Sequence, residues 1–209
     1  MVTGRISVLT VDDHALVRQG LARMLEGAEG FELVGEAAAG AEAVELYRHL
    51  RPDLTLLDIQ MPDMSGLEAL AKIRREFSDA RVIILTVYRG AAPARRALRA
   101  GAVGYVPKGS SNGVLREAMR VVHSGGQYIG AEFAAELAQG MDRDELSDAE
   151  IEVLRLVAAG HSNKRVAHAL RIPEETVKSR MKSISRKLSA LDRTHCVTLA
   201  LMQGIIEMD

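Results

Sequence analysis

The sequence predicts an α/β unit followed by a small all-α unit. Three observations carry that expectation. Short apolar runs at 5–11, 31–38, 54–57, 82–87 and 103–106 alternate with stretches whose apolar residues fall at helical spacing. Asp12-Asp13, Asp58, Thr86 and Lys108 each stand at or just past the end of one of those runs. After residue 147 only helical periodicity remains, and its longest segment has a basic side.

The bulk numbers bound the problem. A chain of 209 residues holds one large domain or two small ones. Its apolar content of 47 % is ordinary for a globular protein and too high for a disordered one. The net charge of −1 is unevenly spread: Lys and Arg against Asp and Glu number 16 to 15 over 1–123, 1 to 5 over 124–146, and 10 to 8 over 147–209. No apolar run approaches the ~20 residues of a membrane span. Asp12-Asp13 comes too early for a signal peptide, and the single cysteine, Cys196, fits a reducing cytoplasm. No membrane partner and a cytoplasmic location are therefore expected.

The centre of the first half is Asp53–Gly66, DLTLLDIQMPDMSG. An apolar run ends abruptly in Asp58, then Pro62 and Gly66 mark a loop, which reads as a buried strand and its exit. Around it, strands at 5–11, 31–38, 82–87 and 103–106 alternate with helices over Leu16–Leu25, 41–50, Leu67–Ile73, Pro93–Ala100 and 111–123. Pro93 suits a first helical turn and Gly101 a helix end. Five strands alternating with helices imply a doubly wound parallel sheet, and strand order 2-1-3-4-5 sets strands one, three, four and five side by side.

That order brings Asp12, Asp13, Asp58, Thr86 and Lys108 to one sheet edge. Clustered carboxylates repel unless they share a cation, and Mg2+ accepts a few carboxylates while keeping waters. With Thr86 and Lys108 as donors, such a site would also bind a phosphoryl group. Taken singly, each residue has a plainer reading. Asp13 caps a helix, Asp58 makes a turn, Thr86 fills a strand, and Lys108 is a solvated loop lysine. Their joint placement at neighbouring strand ends is what argues for a site.

The segments VDDHALVRQGL, LLDIQMPDMSGLE, VIILTVY and AGAVGYVPKGSS, in that order over about 1–123, resemble the receiver domain of two-component response regulators. The resemblance implies a CheY-like fold in which Asp58 accepts a phosphoryl group from a sensor histidine kinase. It implies Mg2+ bound by Asp13, Asp58 and the backbone carbonyl of Gln60, with Asp12 assisting through water. Thr86 and Lys108 would hold the phosphoryl oxygens, and Tyr105 would reposition when Thr86 moves. Two departures stand out. Val87 replaces a smaller residue and would narrow access to Asp58. The segment after strand four lacks its usual acids and carries Arg95, Arg96 and Arg99, read as a solvated face or an unusually charged partner surface.

Residues 124–146 form the expected joint: a Gly125-Gly126 break, a short helix at 131–139 and an acidic link at 140–146. The second unit is placed at 147–209. Ser147-Asp-Ala-Glu150 is a capping box before a helix with Ile151, Leu154 and Val157 on one side. Ser162 caps a second helix to about Leu170, although Arg165 cannot close the box as a glutamate would. After the turn Arg171–Pro173, a long helix carries Val177, Met181, Ile184 and Leu188 as its apolar stripe. Lys178, Lys182 and Arg186 lie opposite, flanked by Arg180 and Lys187, and residues 176–187 contain no acid. A last helix follows from Thr194.

Two helices joined by a tight turn, the second basic on one side, read as a helix-turn-helix whose cations neutralise phosphates and whose first turn reaches base edges. An ordinary solvated amphipathic helix fits the charges equally well. LSDAEIEVLRLVAAGHSNKRVAHALRIPEETVKSRMKSISRKL, with LDRTHCV after it, tips the balance: it resembles the LuxR-type DNA-binding domain. The whole chain is thus similar to the NarL/FixJ group of bacterial response regulators. That implies a recognition helix at Thr176–Leu188, with Thr176, Lys178, Ser179, Arg180, Lys182 and Arg186 as contacts to double-stranded DNA. Pro173 stands where a serine often caps that helix.

The function implied is a non-enzymatic, phosphorylation-controlled transcription factor, a homodimer when active, with RNA polymerase a further partner. One rival is a phosphorylation-independent DNA-binding regulator that uses the first unit for docking or dimerisation. Another is a phosphohydrolase with an aspartyl-phosphate intermediate, disfavoured because Gln60 occupies the place of a second catalytic carboxylate.

Overall fold

The computed structural model of the chain describes residues 4–87, 91–131, 133–134, 146–188, 190–202 and 205–206. One compact unit takes in 1–87 and 94–134, and another takes in 88–93 and 135–209.

The first unit runs β1 (Ile6–Val11), α1 (Ala15–Glu26), β2 (Phe31–Ala37), α2 (Gly40–Leu50), β3 (Leu54–Asp58), α3 (Gly66–Glu76), β4 (Val82–Thr86), α4 (Ala91–Arg99), β5 (Gly104–Pro107), α5 (Asn112–His123) and β6 (Tyr128–Ile129). The strands form one parallel sheet of order β2-β1-β3-β4-β5-β6. β3 and β4 are buried at every residue, as continuous apolar runs in a sheet covered on both faces should be. Side chains alternate between the faces. Val8, Leu54, Leu56, Ile83, Leu85 and Val106 pack with Leu21 and Leu25 of α1 and Leu115, Met119 and Val122 of α5. The intervening Leu9, Leu57, Ile84 and Tyr105 are equally buried.

The sheet has six strands where five were expected. The Gly125-Gly126 pair is a turn rather than a break: Gly125 takes φ +91°, and the chain folds back to lie along β5. Tyr128 N–H donates to the Val103 carbonyl at 3.0 Å and Gly130 N–H to the Tyr105 carbonyl at 3.0 Å. A two-residue strand has no period for a sequence pattern to reveal. Just beyond it, Phe133 is buried edge-on against Tyr105, with ring centres 4.9 Å apart. Of the helix expected at 131–139, residues 131, 133 and 134 are helical. Residue 132 and residues 135–145, with most of the acidic link, lie outside the described residues.

The described residues of the second unit form the helices α6 (Asp148–Ala158), α7 (Asn163–Leu170), α8 (Glu174–Leu188) and α9 (Arg193–Met202). Its core joins Val153, Leu154 and Val157 with Val166, Val177, Ile184, Cys196 and Ala200. The expected capping box at Ser147 and Glu150 is present. Ser162 accepts from the Arg165 N–H at 3.4 Å, and Arg165, which has no acceptor, returns nothing. The proline ahead of α8 offers no side-chain cap either. Its carbonyl instead takes the first-turn N–H groups of Thr176 at 3.0 Å and Val177 at 3.3 Å. Glu174 and Glu175 add favourable charge to that end of the helix. Among the described residues, no helix is long and apolar enough to cross a membrane.

Candidate functional sites: an acidic pocket and a basic helix

Asp58 is the last residue of β3 and is 2 % exposed. Register sets Val11 beside Leu57, Asp58 beside Leu85, and Thr86 beside Pro107. The residues after β1, β3, β4 and β5 therefore open on one edge of the sheet. The Lys108 ammonium lies there between two buried carboxylates, 2.7 Å from Asp58 Oδ2 and 2.7 Å from Asp12 Oδ2. The backbone N–H of Lys108 donates to the Thr86 carbonyl at 2.8 Å, which fastens the exit of β5 to the end of β4. Arg18, one turn into α1, donates to the Asp12 carbonyl at 2.6 Å.

The loop after Asp58 is held at three points. Asp63 accepts from the N–H groups of Gly40 and Ala41, each at 2.8 Å, and so caps α2. Ser65 and Glu68 form a capping box on α3. Gly66 donates to the Ile59 carbonyl at 2.7 Å, and a Cβ at Gly66 would fall 1.9 Å from the Asp58 carbonyl oxygen. Only glycine permits that approach.

Burial dominates the electrostatics. It pushes the Asp58 carboxyl above the usual carboxylate range. The Lys108 ammonium and the Gln60 N–H pull it back without overcoming that, and the Asp12 charge adds to the rise. Burial lowers the Lys108 ammonium, but bonds to Asp12 and Asp58 more than compensate and leave it raised. Thr86 and Tyr105 are buried side by side under the same edge. Burial holds the Tyr105 phenol up at about 12, with Thr86 and Arg96 acting in the opposite sense. Val87, expected to narrow access to Asp58, stands beyond β4 and is 63 % exposed.

The donor set suits a small divalent cation. Asp12, Asp13, His14 and Asp58 each offer one ligand atom, and these all lie within 4.8 Å of one another. Carboxylate oxygens of this number match a hard ion such as Mg2+. The structure thus brings together Asp12, Asp13, Asp58 and Lys108, places Gln60 at the carboxylate through its N–H, and sets Thr86 and Tyr105 close by. It adds His14, which the sequence reading passed over. An exposed histidine next to two aspartates carries no signal of its own beyond that adjacency.

On the second unit, Lys178, Ser179, Lys182 and Arg186 stand exposed along α8, and Thr176 is half-buried at its start. Arg180 and Lys187, seven residues apart, share a flank of the helix that faces α6. Arg180 Nη1 is directed at the Ala149 carbonyl at 3.4 Å. Lys187 Nζ is bonded to Glu150 at 2.9 Å. The basic side of α8 is therefore narrower than its composition suggested.

A parallel sheet with an acidic pocket at its carboxyl edge, followed in the chain by a basic helix-turn-helix, defines a two-domain signalling protein that reads DNA. The chain belongs to the response regulators: residues 8–120 match the response regulator receiver domain and residues 144–200 the bacterial regulatory proteins of the luxR family. It is similar to the response regulator GacA of Pseudomonas aeruginosa, 36 % identical over 97 % of this chain and 98 % of that one. The transcriptional regulatory protein YdfI of Bacillus subtilis is 37 % identical over the same shares. Among solved structures, RcsB of Salmonella enterica serovar Typhimurium, bound to promoter P1flhDC in the presence of phosphomimetic BeF3-, superposes with a TM-score of 0.72. It is 25 % identical over 95 % of this chain and 99 % of that chain. The protein is a transcription-regulating response regulator of the LuxR/NarL type.

Proposed function

We propose that Asp58 accepts a phosphoryl group from a sensor histidine kinase, and that this controls dimerisation or DNA binding by the second unit. The observation that carries the reading is the bridge of Lys108 between Asp58 and Asp12 at a shared sheet edge. A buried carboxylate with an adjacent ammonium and further acids is a poised nucleophile whose product charge has partners waiting. Asp13, Asp58 and the Gln60 carbonyl would hold Mg2+, with Asp12 acting through water. The ion would neutralise phosphoryl charge during transfer.

Lys108 would then exchange its carboxylate contact for a phosphoryl oxygen, Thr86 would bind a second, and Tyr105 would follow Thr86. Shifting a two-state receiver from 1:99 to 99:1 needs about 5.5 kcal/mol of differential stabilisation. A few charge-assisted bonds to a phosphoryl group are of that order. In this reading the receiver occupies 1–123, a linker 124–146 and the DNA-binding domain 147–209. Thr176, Lys178, Ser179, Lys182 and Arg186 serve double-stranded DNA, with Arg180, directed at the Ala149 carbonyl, at the margin of that surface. The active form is a cytoplasmic homodimer, because paired half-sites call for two-fold symmetry, and it recruits RNA polymerase.

The test is treatment of the native chain and Asp58→Ala with acetyl phosphate and Mg2+. Phosphate-specific gel mobility, oligomeric state and promoter binding are then followed. Only the native chain should shift and gain DNA affinity. Undiminished phosphorylation-stimulated DNA binding by Asp58→Ala overturns the mechanism.

A further inference from the structure

We propose that Arg18 is a positioning residue for the acidic pocket: by holding the Asp12 carbonyl it sets the peptide plane from which Asp13 presents its carboxylate to the cation. The inference rests on the reading of that pocket as a Mg2+-dependent phosphorylation site. It goes beyond that reading in naming a residue of α1 that acts through the backbone rather than as a ligand.

Asp12 leaves β1 with its polar groups tied to different parts of the chain. Its N–H donates to the Ala37 carbonyl at 3.1 Å, at the end of β2. Its Oδ1 accepts the His14 N–H at 2.9 Å, and its Oδ2 lies 2.7 Å from the Lys108 ammonium. Those contacts fix the amide before Asp12 and its side chain. None of them holds its carbonyl, which belongs to the rigid amide joining Asp12 to Asp13. Among the described residues, that carbonyl has the Arg18 guanidinium as its partner, with Nη1 donating at 2.6 Å.

Asp13 depends on that amide more than Asp12 does. The Asp12 side chain is fully buried, whereas that of Asp13 is 34 % exposed. The ion pair of the Asp13 carboxylate is with its own neighbour, His14. No distant element anchors it among the described residues, so its direction is inherited from the backbone. Tilting the amide re-aims the Cα–Cβ bond of Asp13 and with it the carboxylate.

The helix explains how an arginine reaches back. The Arg18 N–H donates to the His14 carbonyl at 3.2 Å, which fixes the residue one turn into α1. Side chains on a helix lean towards its N-terminus, so position 18 overhangs the turn at 12–14. Arginine has the length for that return and only donors to offer. Its charge works against a nearby cation. Charge and geometry therefore predict opposite signs for its removal: loss of repulsion strengthens Mg2+ binding, and loss of the bond weakens it.

The experiment uses the full chain, native, Arg18→Gln and Arg18→Lys, with Mg2+ alone as the probe. Titration calorimetry gives the Mg2+ affinity, and melting in EDTA reports on the metal-free fold. Phosphorylation by acetyl phosphate is then followed across Mg2+ concentration. Glutamine is too short to reach the carbonyl, so Arg18→Gln should bind Mg2+ roughly tenfold more weakly. It should need correspondingly more Mg2+ for half-maximal phosphorylation and approach the native rate when Mg2+ saturates. Arg18→Lys, which keeps a donor of similar reach, should recover most of the affinity. Equal or tighter Mg2+ binding by folded Arg18→Gln, whatever its melting temperature, overturns the positioning role and leaves Asp58 standing as the phosphoacceptor. Failure of folded Arg18→Lys to recover affinity does the same. No Mg2+ binding by the folded native chain overturns the reading of the pocket and this inference with it.

Discussion

Lys187, near the end of α8, and Glu150, in the first turn of α6, form an ion pair of 2.9 Å with both side chains largely buried. The same carboxylate accepts the Ser147 N–H at 2.7 Å and so closes the α6 capping box. One glutamate thus starts one helix and anchors another. Burial pushes its carboxyl up, but Lys187 and the Ser147 and Ser183 donors outweigh that and leave it at about 2.

The pair gives a pH prediction. Unfolded, Glu150 titrates at about 4.3. Its folded value is depressed, so its contribution is fully present above the unfolded value and is lost as pH falls towards about 2. The native chain should lose melting temperature faster than Glu150→Gln between about pH 5 and pH 2. Lys187→Met, which leaves the carboxylate buried and unpaired, should cost about 3 kcal/mol at neutral pH. Calorimetry across pH checks both, and parallel melting curves for native chain and Glu150→Gln would refute the first.

Lys187 also separates fold from DNA contact. Lys182→Ala should weaken binding to promoter and random duplex alike and reduce the slope of log K against log salt by about one. Lys187→Met should leave that slope unchanged in protein that remains folded, since its ammonium is committed to Glu150. Fluorescence anisotropy at several salt concentrations distinguishes the two.

Gly66→Ala tests the loop that presents Asp58. The new methyl group would lie 1.9 Å from the Asp58 carbonyl oxygen, against backbone that cannot rotate away. A loss of about 2–3 kcal/mol is expected from overpacking alone. The displaced strand end should also slow phosphorylation by acetyl phosphate, read as the rate of the mobility shift in folded protein.

Lys108→Met removes the cation between Asp12 and Asp58. Two buried carboxylates then face each other without a counter-charge, so the metal-free chain should melt at lower temperature. Mg2+ should bind roughly tenfold more tightly, because an ammonium no longer competes with it. Titration calorimetry with Mg2+ measures the affinity, and equal affinity in native chain and variant would contradict the competition.

The architecture was legible because buried parallel strands are short, apolar and sharply bounded, and because each chemical residue sits at a strand end. Asp58 ending LTLLD is the clearest case. What escaped the sequence was set by three-dimensional placement. β6 is too short to have a period. Lys187 looks like its neighbours on α8 until the position of α6 is known. His14 takes its meaning only from how the chain turns after Asp12. Arg165 was read correctly as unable to close its capping box, since that property follows from the side chain itself.

Tyr105 does more than fill space beneath Thr86. Its carbonyl takes the Gly130 N–H, and its ring meets the edge of Phe133. The stretch that leaves the sheet for the second half of the chain is thus stitched to the residue expected to move. Swinging that ring aside would strip Phe133 of its aromatic neighbour. Under the proposed switch, Phe133 is the first neighbour to feel a turn of the Tyr105 ring.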